Sequence, residues 1–351
     1  MKEAFPSANK WKPQPSQAIG LASRLLLAIL SALCGAQSVR AEDGEWSLLL
    51  EPTYMDAYGN DQHVLTTHEI NADSATPVIA RTPVALETES GLAYRFELQY
   101  TRSDWGLGLD FFWFDASQGR PSRTAAATAP IDQIVFETSA RSFTSNNPNE
   151  VLFFRVLEDT DIATWTVDLY AIKTLTQTQA GSLQLQFGVR NADFDNDYHS
   201  VVGIQDGAGA LLDAASNYGR MIGPLVGLVG NVHFGKHSIR GCFGQSVVLG
   251  SAELLVNSTS DFVGPFNDAP TIVAEQFFGK DEDVVIPITE FRINWLYPIS
   301  RRVSLGVSAN TSVWWDVPVP PGLIPTPGGD QVFHKNTLVY FGLAVAVKLR
   351  I

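Results

Sequence analysis

Ten ionisable residues stand at alternating positions in segments that are otherwise apolar or small: Arg95, Glu97, Asp110, Asp168, Arg190, Arg240, Glu290, Arg292, Lys348 and Arg350. An isolated charge inside an apolar surround is strongly penalised, so groups of both signs on one face need water or each other. The chemistry this supports is electrostatic: a wet, charged surface that biases which solutes pass, or Arg–carboxylate pairs that lock an interior. Covalent chemistry has little support. His63, His68, His199-Ser200 and His334 are expected in loops, and no spacing brings a base, an orienting group and an oxyanion donor together. Asp193-x-Asp195-x-Asp197 begins like a calcium loop, but Tyr198 stands where the turn glycine belongs and Ile204 where the bidentate acid belongs. No glycine-rich phosphate loop, CxxC or HExxH occurs. The reading is of a non-enzyme, with no catalytic residue, cofactor or metal.

The elements that carry these charges are strands. In Leu92 to Tyr100, Leu, Tyr, Phe, Leu and Tyr share one face, while Ala93, Arg95, Glu97 and Gln99 share the other. The same period of two runs through Leu183–Arg190, Phe291–Tyr297, Val303–Val313 and Val339–Leu349. Weaker versions cover Trp46–Met55, Trp105–Asp115, Ala163–Lys173, Met221–Phe234 and Ser238–Gly250, which makes ten strands. Cys242 on the last of these reads as a small packing residue.

Composition agrees. The 351 residues are 45% hydrophobic and 17% charged, and the mean hydropathy is only +0.03, which excludes a bundle of long apolar helices. Residues 1–41 read as a secretory leader: Lys2, Lys10, Lys12 and Arg24 precede the apolar run Leu25–Leu33, and Val39-Arg40-Ala41 offers a cleavage site. Residues 42–351 then form a single domain. The leader holds five Lys/Arg and one acid, so removing it takes the 24 bases and 37 acids to 19 and 36, a net charge of −17. Nucleic acid is excluded as a partner on that charge. Of the two cysteines Cys34 leaves with the leader, so Cys242 has no internal partner.

The connections choose between a soluble sandwich and a membrane barrel. Arg102–Asp104, Thr174–Gly181, Gly235–His237 and Pro298–Arg302 are short. They alternate without exception with five long ones: Asp56–Ser90, Ala116–Ile162, Asp193–Arg220, Ser251–Pro287 and Asp316–Asn336. Tight turns on one side and extended loops on the other are the pattern of a transmembrane up-and-down antiparallel β-barrel of about 10 strands, within a range of 8–12. In hydrocarbon a sheet must close on itself to pair every backbone amide. A further hairpin from Ile131–Thr138 and Val151–Leu157 would raise the count to twelve. Trp46, Tyr54, Tyr100, Trp105, Trp113, Trp165, Trp295, Tyr297 and Trp314 are candidates for two interfacial girdles. The long connections hold 26 of the acids against 8 bases, so the side they occupy is acidic.

Several of these segments, taken in order, resemble the Legionella-type major outer-membrane protein family. They are Leu92–Tyr100 followed by Trp105–Ala116, Arg190–Tyr198, Gly223-Pro224-Leu225-Val226-Gly227-Leu228, and Trp314-Trp315-Asp316-Val317-Pro318. Leu225 replaces a basic residue of the family pattern, and the chain ends in Ile351 where an aromatic is common. The stretch Tyr340-x-Gly342-x-x-Val345-x-Val347 is similar to the signal that the barrel-assembly machinery reads. The resemblance implies a bacterial outer-membrane barrel, bounded by lipid and lipopolysaccharide, that forms a pore. The expectation is therefore a porin-like path for small hydrophilic solutes or ions lined by the ten charged residues; an oligomer is compatible with it. The alternative is a non-conducting structural or adhesive barrel that acts through its acidic loops. At ten strands the interior can be wet or filled.

Overall fold

The computed structural model describes the backbone of residues 44–58, 63–71, 78–85, 89–119, 123–126, 133–138, 142–145, 153–204, 209–262, 271–319 and 334–351. Side chains are described for 44–58, 90–116, 161–197, 219–253, 281–317 and 335–351. The leader expected at 1–41 lies outside the described residues. The strands in chain order are β1 (Gly44–Tyr58), β2 (His63–Asn71), β3 (Val78–Ala85), β4 (Glu89–Arg102), β5 (Trp105–Gly119), β6 (Arg123–Ala126), β7 (Gln133–Thr138) and β8 (Ser142–Ser145). They continue with β9 (Phe153–Gln177), β10 (Gly181–Ile204), β11 (Gly209–Tyr218), β12 (Met221–Phe234), β13 (His237–Phe262), β14 (Thr271–Pro298), β15 (Val303–Val319) and β16 (His334–Arg350).

Ten of them close into a ring, β1-β4-β5-β9-β10-β12-β13-β14-β15-β16 and back to β1, with every neighbouring pair antiparallel. These are the ten strands the alternation predicts. All chain reversals at one end are tight. In the β12–β13 hairpin Phe234 pairs with His237, so two residues turn the chain, and Gly235 supplies the positive φ of 58° that such a turn requires. Ser103 does the same between β4 and β5 with φ 53°.

The other end differs from expectation. The segments expected as loops are largely strand. β9 and β10 stay paired out to Phe154↔Ile204, and β13 and β14 to Phe262↔Thr271. Once two strands are in register, the backbone ladder continues wherever both can stay extended, and this needs no apolar face. The Asp193, Asp195 and Asp197 series lies within β10, on its outward face. His63 and His68 sit in β2, His199 in β10 and His334 in β16, none of them in a loop. β11 bridges β10 and β13 beyond β12, and β6 pairs with β9. Ile131–Thr138 and Val151–Leu157 do not make an extra barrel hairpin. β7 joins β2, β3 and β8 in a separate four-stranded sheet, and Phe153–Leu157 belongs to β9.

The barrel is inside out relative to a soluble sheet. Leu107, Leu169, Ile222, Phe291, Val307, Leu343 and Val345 are outward and exposed, whereas Glu51, Glu97, Asp168 and Arg190 are buried within. Outward positions of β5 read Trp105, Leu107, Leu109, Phe111, Trp113, an apolar band between two tryptophans. The eight residue steps from Trp105 to Trp113 span about 20 Å of bilayer at roughly 3.4 Å per residue and a tilt of about 40°. A continuous apolar belt of this kind is intolerable in water and matches acyl chains. The chain is a membrane-spanning β-barrel.

Candidate functional site

The inward residues stack in three layers. Toward the long-connection end lies an apolar layer that includes Met55, Phe112, Phe114, Phe194, Ile286, Trp314 and Tyr340. Its rings meet across the lumen: Phe114 and Tyr340 lie edge to face with centroids 5.3 Å apart, and the hydroxyls of Thr164 and Tyr340 hydrogen-bond at 2.9 Å. Toward the short-turn end, Leu49, Leu296 and Ala346 form a small apolar patch.

Between them lies the charged layer. Arg190 grips Asp168 with two bonds of 2.7 and 2.6 Å and also meets Glu290. Arg95 spans Asp110 at 3.0 Å and Glu290 at 3.1 Å. Arg292 donates to Glu51 at 2.9 Å and to Glu97 at 2.8 Å. Arg240 holds both oxygens of Glu97 at 2.6 Å. Five carboxylates thus meet four guanidinium groups, and the Lys348 ammonium stands within electrostatic reach of Glu97 and Arg240, so the layer is self-neutralising. Bidentate Arg–carboxylate pairing is the arrangement in which buried charges persist; in this layer the Arg292 Nε alone of the guanidinium donors is buried without a partner among the described residues.

Register explains why these groups meet. Glu97, Asp110, Asp168 and Arg190 are directly paired along β4, β5, β9 and β10, so one arc of the wall carries three acids before its first base. Asp110 and Asp168 find counter-charges on adjacent strands, in Arg95 of β4 and Arg190 of β10, whereas those of Glu97 come from the opposite arc. β4 and β13 are five places apart in a ten-strand ring, on opposite sides of the barrel, and the Glu97–Arg240 pair crosses its diameter.

Eight of the ten sequence-predicted residues join this cluster. Lys348 is half-buried beside it, and Arg350 is at the rim, mostly exposed and 3.4 Å from Glu45. Glu51, Asn294, Tyr170, Gln99 and Ser246 also take part and were not anticipated. Glu51 is buried and accepts from Arg292 and Asn294. Tyr170 donates to Glu97 at 2.8 Å, and Gln99 donates to both Glu97 and Tyr170. For Glu51 a signal existed: Leu50, Pro52 and Tyr54 alternate with Glu51, Thr53 and Met55. For Tyr170 the alternation gave its face, the one it shares with Asp168, but its seat is made by a neighbour. A Cβ at Gly108 would stand 2.2 Å from the Tyr170 ring.

Cys242 faces inward with a free thiol, its Sγ 3.7 Å from the Arg292 guanidinium. At the turn end Lys173 pairs with Asp104 and lies 4.6 Å above the Trp105 ring, and its ammonium holds the exposed Asp104 carboxyl below the usual range. Among the described residues no group of three or more potential metal ligands occurs.

Fold and site together define a class: a ten-stranded membrane β-barrel whose interior is crossed by ion pairs. No protein-family profile matches the chain, and no curated protein does. Several solved structures share the general architecture. The outer membrane protease OmpT from Escherichia coli is 11% identical, covers 90% of this chain and 99% of its own, and superposes with a TM-score of 0.43. OprG from Pseudomonas aeruginosa is 10% identical, with 88% and 97% covered and a TM-score of 0.26. The transport unit of the autotransporter AIDA-I from Escherichia coli is 8% identical, with 93% and 97% covered and a TM-score of 0.27.

Proposed function

We propose that the protein is a bacterial outer-membrane barrel, exported by its leader, that is closed at rest and presents an acidic, β-rich structure on the outer face. The observation that carries this reading is the Glu97–Arg240 pair: two bonds of 2.6 Å bridge strands on opposite sides of the barrel, and the charged groups around it, Asp168 and Arg190 among them, are buried from water. The apolar layer beyond it, with Trp314 and Tyr340 buried, closes the lumen a second time. Work by such a protein is done at its ends. The long-connection side carries the excess of acids and offers carboxylates for divalent-cation bridges to lipopolysaccharide.

The diffusion pore is the second reading, and a particular observation favours it. Ser182, Gln184, Gln186, Asn231 and Ser238 are inward-facing, polar and half-exposed, so water enters from the short-turn end as far as the ion layer. A pore in this barrel would open by parting that layer. Single-channel recording in planar bilayers separates the two. The closed reading expects no steps from the wild type at high protein density. Regular conductance from the unaltered protein would overturn it.

A further inference from the structure

The short-turn rim carries a surface that neither reading uses. His237, at the start of β13, points outward into the aromatic belt. Its ring stacks on Trp295 with centroids 5.4 Å apart and planes 17° apart, and on Phe234 at 5.5 Å and 20°. The Tyr297 ring is 5.2 Å away. Its Nδ1 is buried with no hydrogen-bond partner, a defect that folded proteins seldom leave without a ligand or water to fill it. The same rim holds Lys236 in the β12–β13 turn and Arg301 and Arg302 in the β14–β15 turn, all exposed. These two hairpins are neighbours, because β13 pairs with β14. Charge is thus opposite at the two ends of the barrel, basic here and acidic at the far end.

Directly above this cluster, on the lipid-facing wall, lies a groove of about 420 Å³. Ile239, Ile293, Trp295, Val307 and Leu343 line it. Its volume is of the order of one lipid acyl chain, and Trp295 belongs both to the groove and to the stack on His237.

We propose that this rim is a binding site for one anionic glycerophospholipid of the leaflet that faces the short turns. The phosphate sits against the Lys236, Arg301 and Arg302 charges beside the His237 stack, and an acyl chain lies in the groove. Two features of the surface select this occupant. The basic residues complement a phosphate placed at the depth of an aromatic girdle, and the apolar groove runs from that depth toward the bilayer centre. A free anion accounts for the basic residues and leaves the groove unexplained. The proposal rests on the membrane-spanning reading and is independent of whether the lumen conducts.

The test is native mass spectrometry of the full-length protein, folded in mixed micelles that contain equal phosphatidylglycerol and phosphatidylcholine. The wild type should retain one phosphatidylglycerol in preference to phosphatidylcholine, and the preference should fall about fivefold for each of Lys236→Gln, Arg301→Gln and Arg302→Gln, the amount expected per basic residue at an anionic surface. Val307→Trp, which fills the groove, should lower retention of either lipid. Heat-dependent gel migration reports whether each variant is folded; should a variant fail to fold, the wild-type preference for phosphatidylglycerol decides the matter. Equal retention of the two lipids by the wild type overturns the proposal. Displacement of the lipid by millimolar inorganic phosphate also overturns it and assigns the site to a free anion.

Discussion

Glu97 is the residue on which the ion layer turns, and Glu97→Ala tests whether the layer is closed. The carboxylate accepts from Arg240 twice at 2.6 Å, from Arg292 at 2.8 Å, from Tyr170 at 2.8 Å and from Gln99 at 2.5 Å. Removing it leaves Arg292 with Glu51 at 2.9 Å, but Arg240 loses the carboxylate that holds it. Breaking a buried pair by deleting one partner costs about 3–5 kcal/mol, because the other charge stays buried. Against total stabilities of roughly 5–15 kcal/mol, this should move a urea midpoint in phospholipid vesicles by a large fraction of its value. Tryptophan fluorescence and unheated gel migration both read that midpoint. Glu97→Leu combined with Arg240→Met should recover most of the loss, since replacing both partners of a buried pair by apolar groups is often neutral. Losses below about 1 kcal/mol, the value for solvated pairs, would refute the reasoning. Strict additivity in the double variant would refute it too: the pair would then be wet, and the lumen open at that level.

Three further outcomes follow from the same geometry. Leu343→Arg places a charge on the outward face of β16 at a position 64% exposed, and should cost about 2–4 kcal/mol in vesicle unfolding if that face meets hydrocarbon; a change within about 0.5 kcal/mol would place it in water. Gly108→Ala drives a methyl into the Tyr170 ring, and should cost about 1–3 kcal/mol by overpacking and displace the ring from Glu97. Combining it with Tyr170→Phe should leave the strain in place, whereas Tyr170→Ala should relieve it. The Asp104 carboxyl, held below its ordinary range by the Lys173 hydrogen bond, should titrate upward in Lys173→Gln by carboxyl-labelled NMR. A depressed carboxylate stabilises the fold above its ordinary pKa and stops doing so as pH falls through the depressed value, so this β4–β5 turn should loosen only on strong acidification.

The ten barrel strands were legible because a wall between hydrocarbon and a polar interior imposes a period of two. Where that boundary ends, the signal ends with it. β9 was expected at Ala163–Lys173 and extends to Phe153–Gln177, and β14 was expected at Phe291–Tyr297 and begins at Thr271. Beyond the bilayer neither face needs to be apolar, so the alternation fades while the hydrogen-bond ladder continues. The Asp193, Asp195 and Asp197 series shows this: it stands where the long connection Asp193–Arg220 is expected to begin, yet its three acids are one face of a paired strand. Glu51 was missed within a strand that was found, because the pattern of β1 is broken by Leu48 and Leu49, both buried.

By itself, the amino-acid sequence determined which residues face lipid and which face inward, because that follows from local backbone geometry. It also determined that the inward charges nearly balance. Which charges meet was decided only by the closed fold. Glu97 finds Arg240 across 143 residues and Arg292 across 195, and neither pairing can be read from spacing along the chain. Ring closure and strand register set the width of the interior and the height of each side chain within it. These two quantities determine whether opposite charges line a channel or bridge it.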